Sequence, residues 1–242
     1  MISLLALLVV GSQFSKPSVK QQIRLGEDVA QEIRQHETVL PETDPRVVEL
    51  RKVAARVLSS VHDKEEWEFS FDVVDDPELN AFALPGGPTF FFTGLMDKLK
   101  TEDELAGVLC HELTHVRQQH WAIQFAATQR RDLLINLGLV LLHANQTANA
   151  IAGVSDQLIF NLPFSRSQEA QADRGGFELM TAAGYNPAGL EHVFQMMGKT
   201  IRGDKPPVFL SDHPADKNRI DSIQAMIDGS GKTYPPEIPL GY

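Results

Sequence analysis

One cysteine, Cys110, in 242 residues excludes an internal disulfide framework. Basic residues are in deficit, with 22 Lys and Arg against 32 Asp and Glu and a net charge of -10. Nucleic acid and anionic membrane surfaces are therefore poor candidates for electrostatically attracted partners. No glycine-rich phosphate loop occurs, and no internal repeat. Long apolar runs are also missing. Residues 2–10 and 133–142 are the most apolar stretches, and both fall short of the roughly 20 residues that span a bilayer. The first is followed by Gly11 and Ser12, which suit a signal-peptidase cut, but it lacks a basic flank. It reads as a short or truncated export signal over residues 1–19, or as a plain apolar tail. No cysteine follows it, so lipid anchoring is not supported. The second reads as a buried helix which, with residues 148–160, forms an excursion beside a cleft; contact with a membrane or a partner is the other reading. The rest, residues 20–242, is read as one domain, since 43% hydrophobic residues can build one sizeable core.

What is present is the string His111-Glu112-Leu113-Thr114-His115, an HExxH pattern. On a helix, positions i and i+4 stand one above the other, so both imidazoles can reach one ion while Glu112 lies beside it. Zinc lowers the pKa of bound water to about 7, and a neighbouring carboxylate can take its proton. Chance produces such a string in on the order of one or two chains of this size per hundred. The lead-in matters more. Thr101 reads as an N-cap with Glu104 as its capping-box partner, followed by acids in the first turn and apolar residues at helical spacing. The bland alternative is a solvated helix face.

A catalytic zinc takes three protein ligands and leaves one position open. Gln118 and Trp121 stand where a metzincin would place glycine and histidine, so that branch is excluded. Farther on, Glu169 and Asp173 lie one helical turn apart, which allows Glu169 to bind zinc while Asp173 accepts an N–H from a ligand histidine. A solvated acidic helix start is the competing reading. His120 would lie about 140° round a continuous helix from His115, outside a shared shell, and reads as structural or surface. His36, His62, His143 and His192 have no partners at ligand spacing. Cys110 reads as a buried core thiol.

Residues 68–74 alternate as a half-buried strand, and Pro85-Gly86-Gly87-Pro88 turns residues 81–84 back onto the apolar stretch 89–92. The hairpin is either purely structural or an edge that holds an extended peptide through main-chain hydrogen bonds, with Asn80, Ala81 and Phe82 as substrate-binding candidates. Residues 19–34, 44–60, 177–183 and 188–198 read as helices, and residues 229–242 as a tail without helical pattern.

Taken together, the segment Asn80-Ala81-Phe82-Ala83-Leu84-Pro85-Gly86-Gly87, the strand and turn Phe91-Phe92-Thr93-Gly94-Leu95, the lead-in to HExxH, the Glu169/Asp173 pair and a late His213-Pro214 with Arg219 resemble family 48 of the metallopeptidases. This gluzincin group includes the CAAX prenyl protease, Oma-type mitochondrial proteases and bacterial periplasmic quality-control proteases. Order and spacing agree from about residue 24 to about residue 227, without the tandem helical repeats some relatives append. The resemblance implies an α+β, mostly helical zincin-like domain with a small sheet beside the HExxH helix. It also implies that the His213 loop faces the metal. His213 or Arg219 could then stabilise the oxyanion, His213 could instead fill the open metal position at rest, and Arg219 could equally pair with a site carboxylate. A solvated histidine near a helix cap is the plain alternative.

The expectation is a zinc metalloendopeptidase with one Zn2+ per chain. His111, His115 and Glu169 are ligands, Glu112 is the base that yields a zinc-bound hydroxide, Asp173 orients a ligand, and His213 and Arg219 assist catalysis. The resemblance implies unfolded or membrane-associated polypeptide substrates, peripheral membrane contact and a role in protein quality control in the periplasm or envelope of a bacterium. A zinc-stabilised, chaperone-like polypeptide-binding module is the alternative, and a hydrolase of small esters or amides a third.

Overall fold

Ser18 starts the first helix, α1 (Val19–His36), through a closed capping box with Gln21. Asp44 caps α2 (Pro45–Leu58), where proline occupies a first-turn position that needs no donor. The computed structural model of the chain describes residues 15–128, 164–200, 209–210, 213 and 217–242. The apolar stretches 2–10, 133–142 and 148–160 lie outside the described residues, so the readings placed on them stay expectations. Among the described residues no helix is long and apolar enough to cross a membrane.

Three strands follow: β1 (Ser70–Val74), β2 (Ala81–Ala83) and β3 (Pro88–Phe92). They form one sheet in the order β1-β3-β2, β1 parallel and β2 antiparallel to β3. The hairpin register sets Ala81 opposite Phe91 and Phe82 opposite Phe90. Its turn needs glycine, because Gly86 and Gly87 adopt φ of 90° and 135°, where a β-carbon is strained. The sheet is thus small, as the family resemblance implies, and β2 lies at its edge.

The centre of the molecule is α3 (Glu102–Arg117), buried from Glu102 to Val116. Burial on all sides explains why its residues show only weak segregation into apolar and polar faces. Helices α4 (Arg166–Ala182) and α5 (Ala188–Thr200) pack on it, and α6 (Lys217–Gly229) packs on those two. The expected helix at 177–183 is the second half of α4, which Ser165 and Gln168 open with a second capping box. One main core, with residues from Val47 to Ile223, unites both halves of the chain.

One detail differs from expectation. Thr101 caps α3 by accepting from the Glu104 amide, but the Glu104 carboxylate accepts from Lys100 N–H instead of closing the box. The acids of that first turn are buried, because the C-terminal tail lies across them: Asp103 accepts from Ile238 N–H at 2.7 Å, and Glu102 N–H donates to the Ile238 carbonyl.

Candidate metal centre

α3 presents His111 and His115 on one face, their Nε2 atoms 3.1 Å apart. α4 crosses that face and delivers Glu169, whose carboxylate oxygens lie 3.6 Å from His111 Nε2 and 3.5 Å from His115 Nε2. His213 completes the group, with Nδ1 3.1 Å from Glu169 Oε1 and 3.2 Å from His111 Nε2. One ligand atom from each of the four residues lies within 4.8 Å of all the others, and all four residues are buried. Glu112 stands beside the group, accepting from the Ala83 amide of β2 at 3.1 Å and lying 3.5 Å from His213 Nε2. The edge strand thus touches the general-base candidate directly. A depression lined by Ala83, Leu84, His115 and Phe164 runs alongside.

The residues present fit a divalent cation. Three imidazole nitrogens and a carboxylate converge in a dry space, and protons on the facing nitrogens cannot satisfy every pair. Glu169 Oε2 and Glu112 Oε1 are buried without a regular hydrogen bond, although Arg219 Nη1 lies 2.6 Å from the former. Two imidazoles and a carboxylate are the ligand set zinc takes in hydrolytic sites.

Behind this group, Asp173 Oδ1 lies 3.2 Å from His111 Nδ1, off the line of a regular hydrogen bond. Arg219 grips Asp173 in two-point fashion, at 2.8 Å from Nε and 2.6 Å from Nη2. Arg219 therefore sits as a carboxylate partner, one of the two roles the sequence leaves open, with its guanidinium 4.4 Å from the Phe194 ring centroid. His213 is held by Phe209, stacked at 4.7 Å. Asn80 is buried, and Ala81 and Phe82 lie in the edge strand beside the site.

Sequence reasoning missed His120. It is fully buried, and its Nδ1 lies 3.0 Å from His115 Nδ1. The 140° offset fails because the helix does not continue: α3 ends at Arg117, Gln119 turns through φ 56°, and helix resumes from residue 120. A surface position for His120 is thereby corrected. Elsewhere, Cys110 is fully buried as expected, and burial raises its pKa. A second group, Glu104, His192 and Glu237, is accounted for by a His192–Glu237 contact at 2.9 Å and by Glu104 accepting from Lys100 N–H.

Electrostatics separate the groups by role. Burial opposes charge on His111, but Asp173 and Glu169 outweigh it and raise its pKa to about 9 without the metal. Burial, then the neighbouring His111 and His213, holds His115 well below its ordinary value, so it is neutral. Burial raises Glu112, against the pull of His213 and His111, toward the range of a proton carrier. Burial works against ionisation of Glu169 and Asp173 too; there His111, with His213 for Glu169 and Arg219 for Asp173, more than offsets it and lowers both.

An HExxH helix joined by a glutamate from a second helix defines a metallopeptidase of the gluzincin type. The chain belongs to peptidase family M48, whose family model matches residues 43–227. It is 30% identical over 222 residues to the mitochondrial metalloendopeptidase OMA1 of Schizosaccharomyces pombe, covering 89% of this chain and 64% of that protein. It is 27% identical over 228 residues to a putative beta-barrel assembly-enhancing protease of Vibrio cholerae, covering 90% of this chain and 46% of the other. Against metalloendopeptidase OMA1 of Bos taurus it is 29% identical over 202 residues, 78% of this chain and 39% of the bovine protein. The chain thus spans less than two thirds of the length of each of these relatives.

Proposed function

We propose that the chain is a zinc-dependent endopeptidase, a single metallopeptidase domain over residues 20–242 that hydrolyses internal peptide bonds of polypeptides. The observation that carries this reading is the meeting of His111, His115 and Glu169 beside Glu112, with the edge strand β2 hydrogen-bonded to that same glutamate. Zinc held there supplies Lewis acidity, which acidifies water and polarises the scissile carbonyl. The side chains divide the remaining work. Glu112 takes the proton of the attacking water and returns it to the leaving amine. His213, near Glu112 and the ligands, is placed to donate to the developing oxyanion once free of them. Arg219 and Asp173 hold Glu169 and His111 in place. Strand β2, with Asn80, Ala81 and Phe82, offers main-chain groups to an extended substrate and asks little of its side-chain sequence.

The relatives' names refer to a mitochondrial metalloendopeptidase and to beta-barrel assembly. For this chain we infer exported, periplasmic or envelope-associated quality control of unfolded or membrane-associated proteins in a bacterium, with peripheral membrane contact. Glu112→Gln tests the mechanism: it should keep one zinc per chain yet lower cleavage of an unfolded protein by about 10²- to 10⁴-fold, the range for a general base. Full activity in that variant, or in chelator, rejects the proposal.

His213 among the ligand atoms favours a second reading, because a fourth protein ligand closes a zinc site to water. A permanently closed site would suit a chaperone-like binding module. His213→Ala separates the two. Cleavage of an unfolded protein by the wild type, lowered in the variant, marks a protease in which His213 serves the oxyanion, and cleavage raised in the variant marks a resting-state contact, whereas wild-type and variant proteins that both bind polypeptide without cutting it mark the module.

A further inference from the structure

His120 is a buried imidazole that the chemistry above does not use. It stands just past the HExxH helix, and three contacts define its state. Its Nδ1 is 3.0 Å from His115 Nδ1, its Nε2 is 3.0 Å from Gln171 Oε1, and its carbonyl accepts from Gln168 Nε2 at 3.1 Å. The two glutamines flank Glu169 on α4, so the helix that brings the third ligand also fixes His120. The turn that aims it is tied from the other side by Gln22, whose amide donates to Gln119 Oε1 at 3.0 Å.

The protons in this chain can be assigned by elimination. Gln171 Oε1 is an acceptor only, so His120 Nε2 carries the hydrogen that faces it. A neutral His120 then has a lone pair on Nδ1. The ring is fully buried, and its nitrogens face an imidazole and an amide oxygen, with no carboxylate at either, so it stands neutral. The partner facing that lone pair at 3.0 Å must donate, so His115 carries its hydrogen on Nδ1. His115 Nε2 is left as a bare lone pair on the side where His111 and Glu169 converge. His111 has the same arrangement, with Asp173 in place of a neutral acceptor.

We infer that His120 is a positioning residue for the metal: through Gln171 it locks His115 as the Nδ1–H tautomer, so that Nε2 is presented to zinc without a proton to displace or a ring to turn. An imidazole can do this where a second carboxylate would add a further negative charge beside Glu169 and Glu112. The inference rests on His115 being a zinc ligand, as proposed above.

Two substitutions and one spectrum test it. His120→Phe keeps the ring and removes the acceptor; His120→Asn places its amide oxygen where Nδ1 stood. Zinc dissociation constants are measured by competition with a chromophoric chelator, with circular dichroism to confirm folding. His120→Phe should bind zinc about 10- to 100-fold more weakly, the usual effect of losing such a partner, and His120→Asn should stay within a few-fold of wild type. Wild-type affinity in His120→Phe, or equal losses in both variants, overturns the inference. Should His120→Phe fail to fold, long-range ¹⁵N–¹H spectra of the zinc-loaded wild type decide: His115 protonated on Nδ1 supports the lock, and protonation on Nε2 overturns it. A wild type that binds no zinc would instead defeat the reading of the centre itself, which keeps the two failures distinct.

Discussion

Arg219 lies 2.6 Å from both Glu169 and Asp173, and all three are buried. A buried guanidinium of this kind is more a requirement of its partners than a source of net stability, because without it two carboxylates face each other in a dry space. Arg219→Met should therefore destabilise the metal-free protein by about 3–5 kcal/mol in urea unfolding, with zinc restoring part of the loss. The same contacts set an acid limit. Glu169 and Asp173 have folded pKa values below their ordinary 4.5 and 3.8, so the unfolded chain binds their protons more readily. Their contribution is complete above about 4.5 and is lost as pH falls below it. Urea midpoints at pH 6 and pH 3 should show this loss, and Arg219→Met should make it shallower. The proposed ligands are legible in the sequence because HExxH and the Glu169/Asp173 spacing are local patterns, each contained within about one helical turn. His120 was not legible. Gln118 and Gln119 favour helix and carry no glycine or proline signal, yet Gln119 takes the left-handed conformation that sends His120 back onto His115. Gln22 and Gln168, distant in sequence, stabilise that turn, so the determining interactions are tertiary.

At the scale of elements, the centre depends on how closely α4 crosses α3. Gly175 makes that approach possible, since a β-carbon there would collide with the Thr114 side chain, which is itself bonded to the Cys110 carbonyl. Gly107 plays the same part against α5, where a β-carbon would lie 2.8 Å from Leu190 Cα. Alanine is intrinsically favoured over glycine in a helix by about 1 kcal/mol, so a loss on Gly175→Ala reports the crossing alone. We expect a net destabilisation of about 1–3 kcal/mol from overpacking and weaker zinc binding as Glu169 moves away from the histidines. A gain in melting temperature would show that the helices have room to spare. The helices and the hairpin could be read from caps, periodicity and the Pro85-Gly86-Gly87-Pro88 turn, because those signals are carried by neighbouring residues. The parallel pairing of β1 with β3 could not, since β2 intervenes in the chain and no local signal selects which strand takes the centre of the sheet.

Across the whole molecule, the C-terminal tail joins elements that local patterns leave separate. It reads in sequence as Gly- and Pro-rich chain without structure of its own, and indeed its order is borrowed. Ile238 exchanges hydrogen bonds with the first turn of α3 through Glu102 and Asp103, Leu240 N–H donates to the Lys100 carbonyl, and the Tyr242 hydroxyl donates to the Met96 carbonyl. Asp103 is shared further, accepting from Asn186 N–H at 2.6 Å where the chain enters α5. The tail thus fastens the start of α3 to the α4–α5 connection, and Ile238 and Leu240 pack on the main core. Removing residues 233–242 strips two backbone–backbone hydrogen bonds and the bond from Ile238 N–H to Asp103, worth about 1 kcal/mol each, along with the apolar burial of Ile238 and Leu240. We expect the urea midpoint to fall by an amount equivalent to roughly 3–5 kcal/mol. No tail residue touches His111, His115 or Glu169 among the described contacts. Zinc stoichiometry should therefore remain one per chain under native conditions, while the metal is released at lower urea than in the full chain. An unchanged midpoint would mean that the first turn of α3 is held by its Thr101 cap and its packing on α2 without help from the tail.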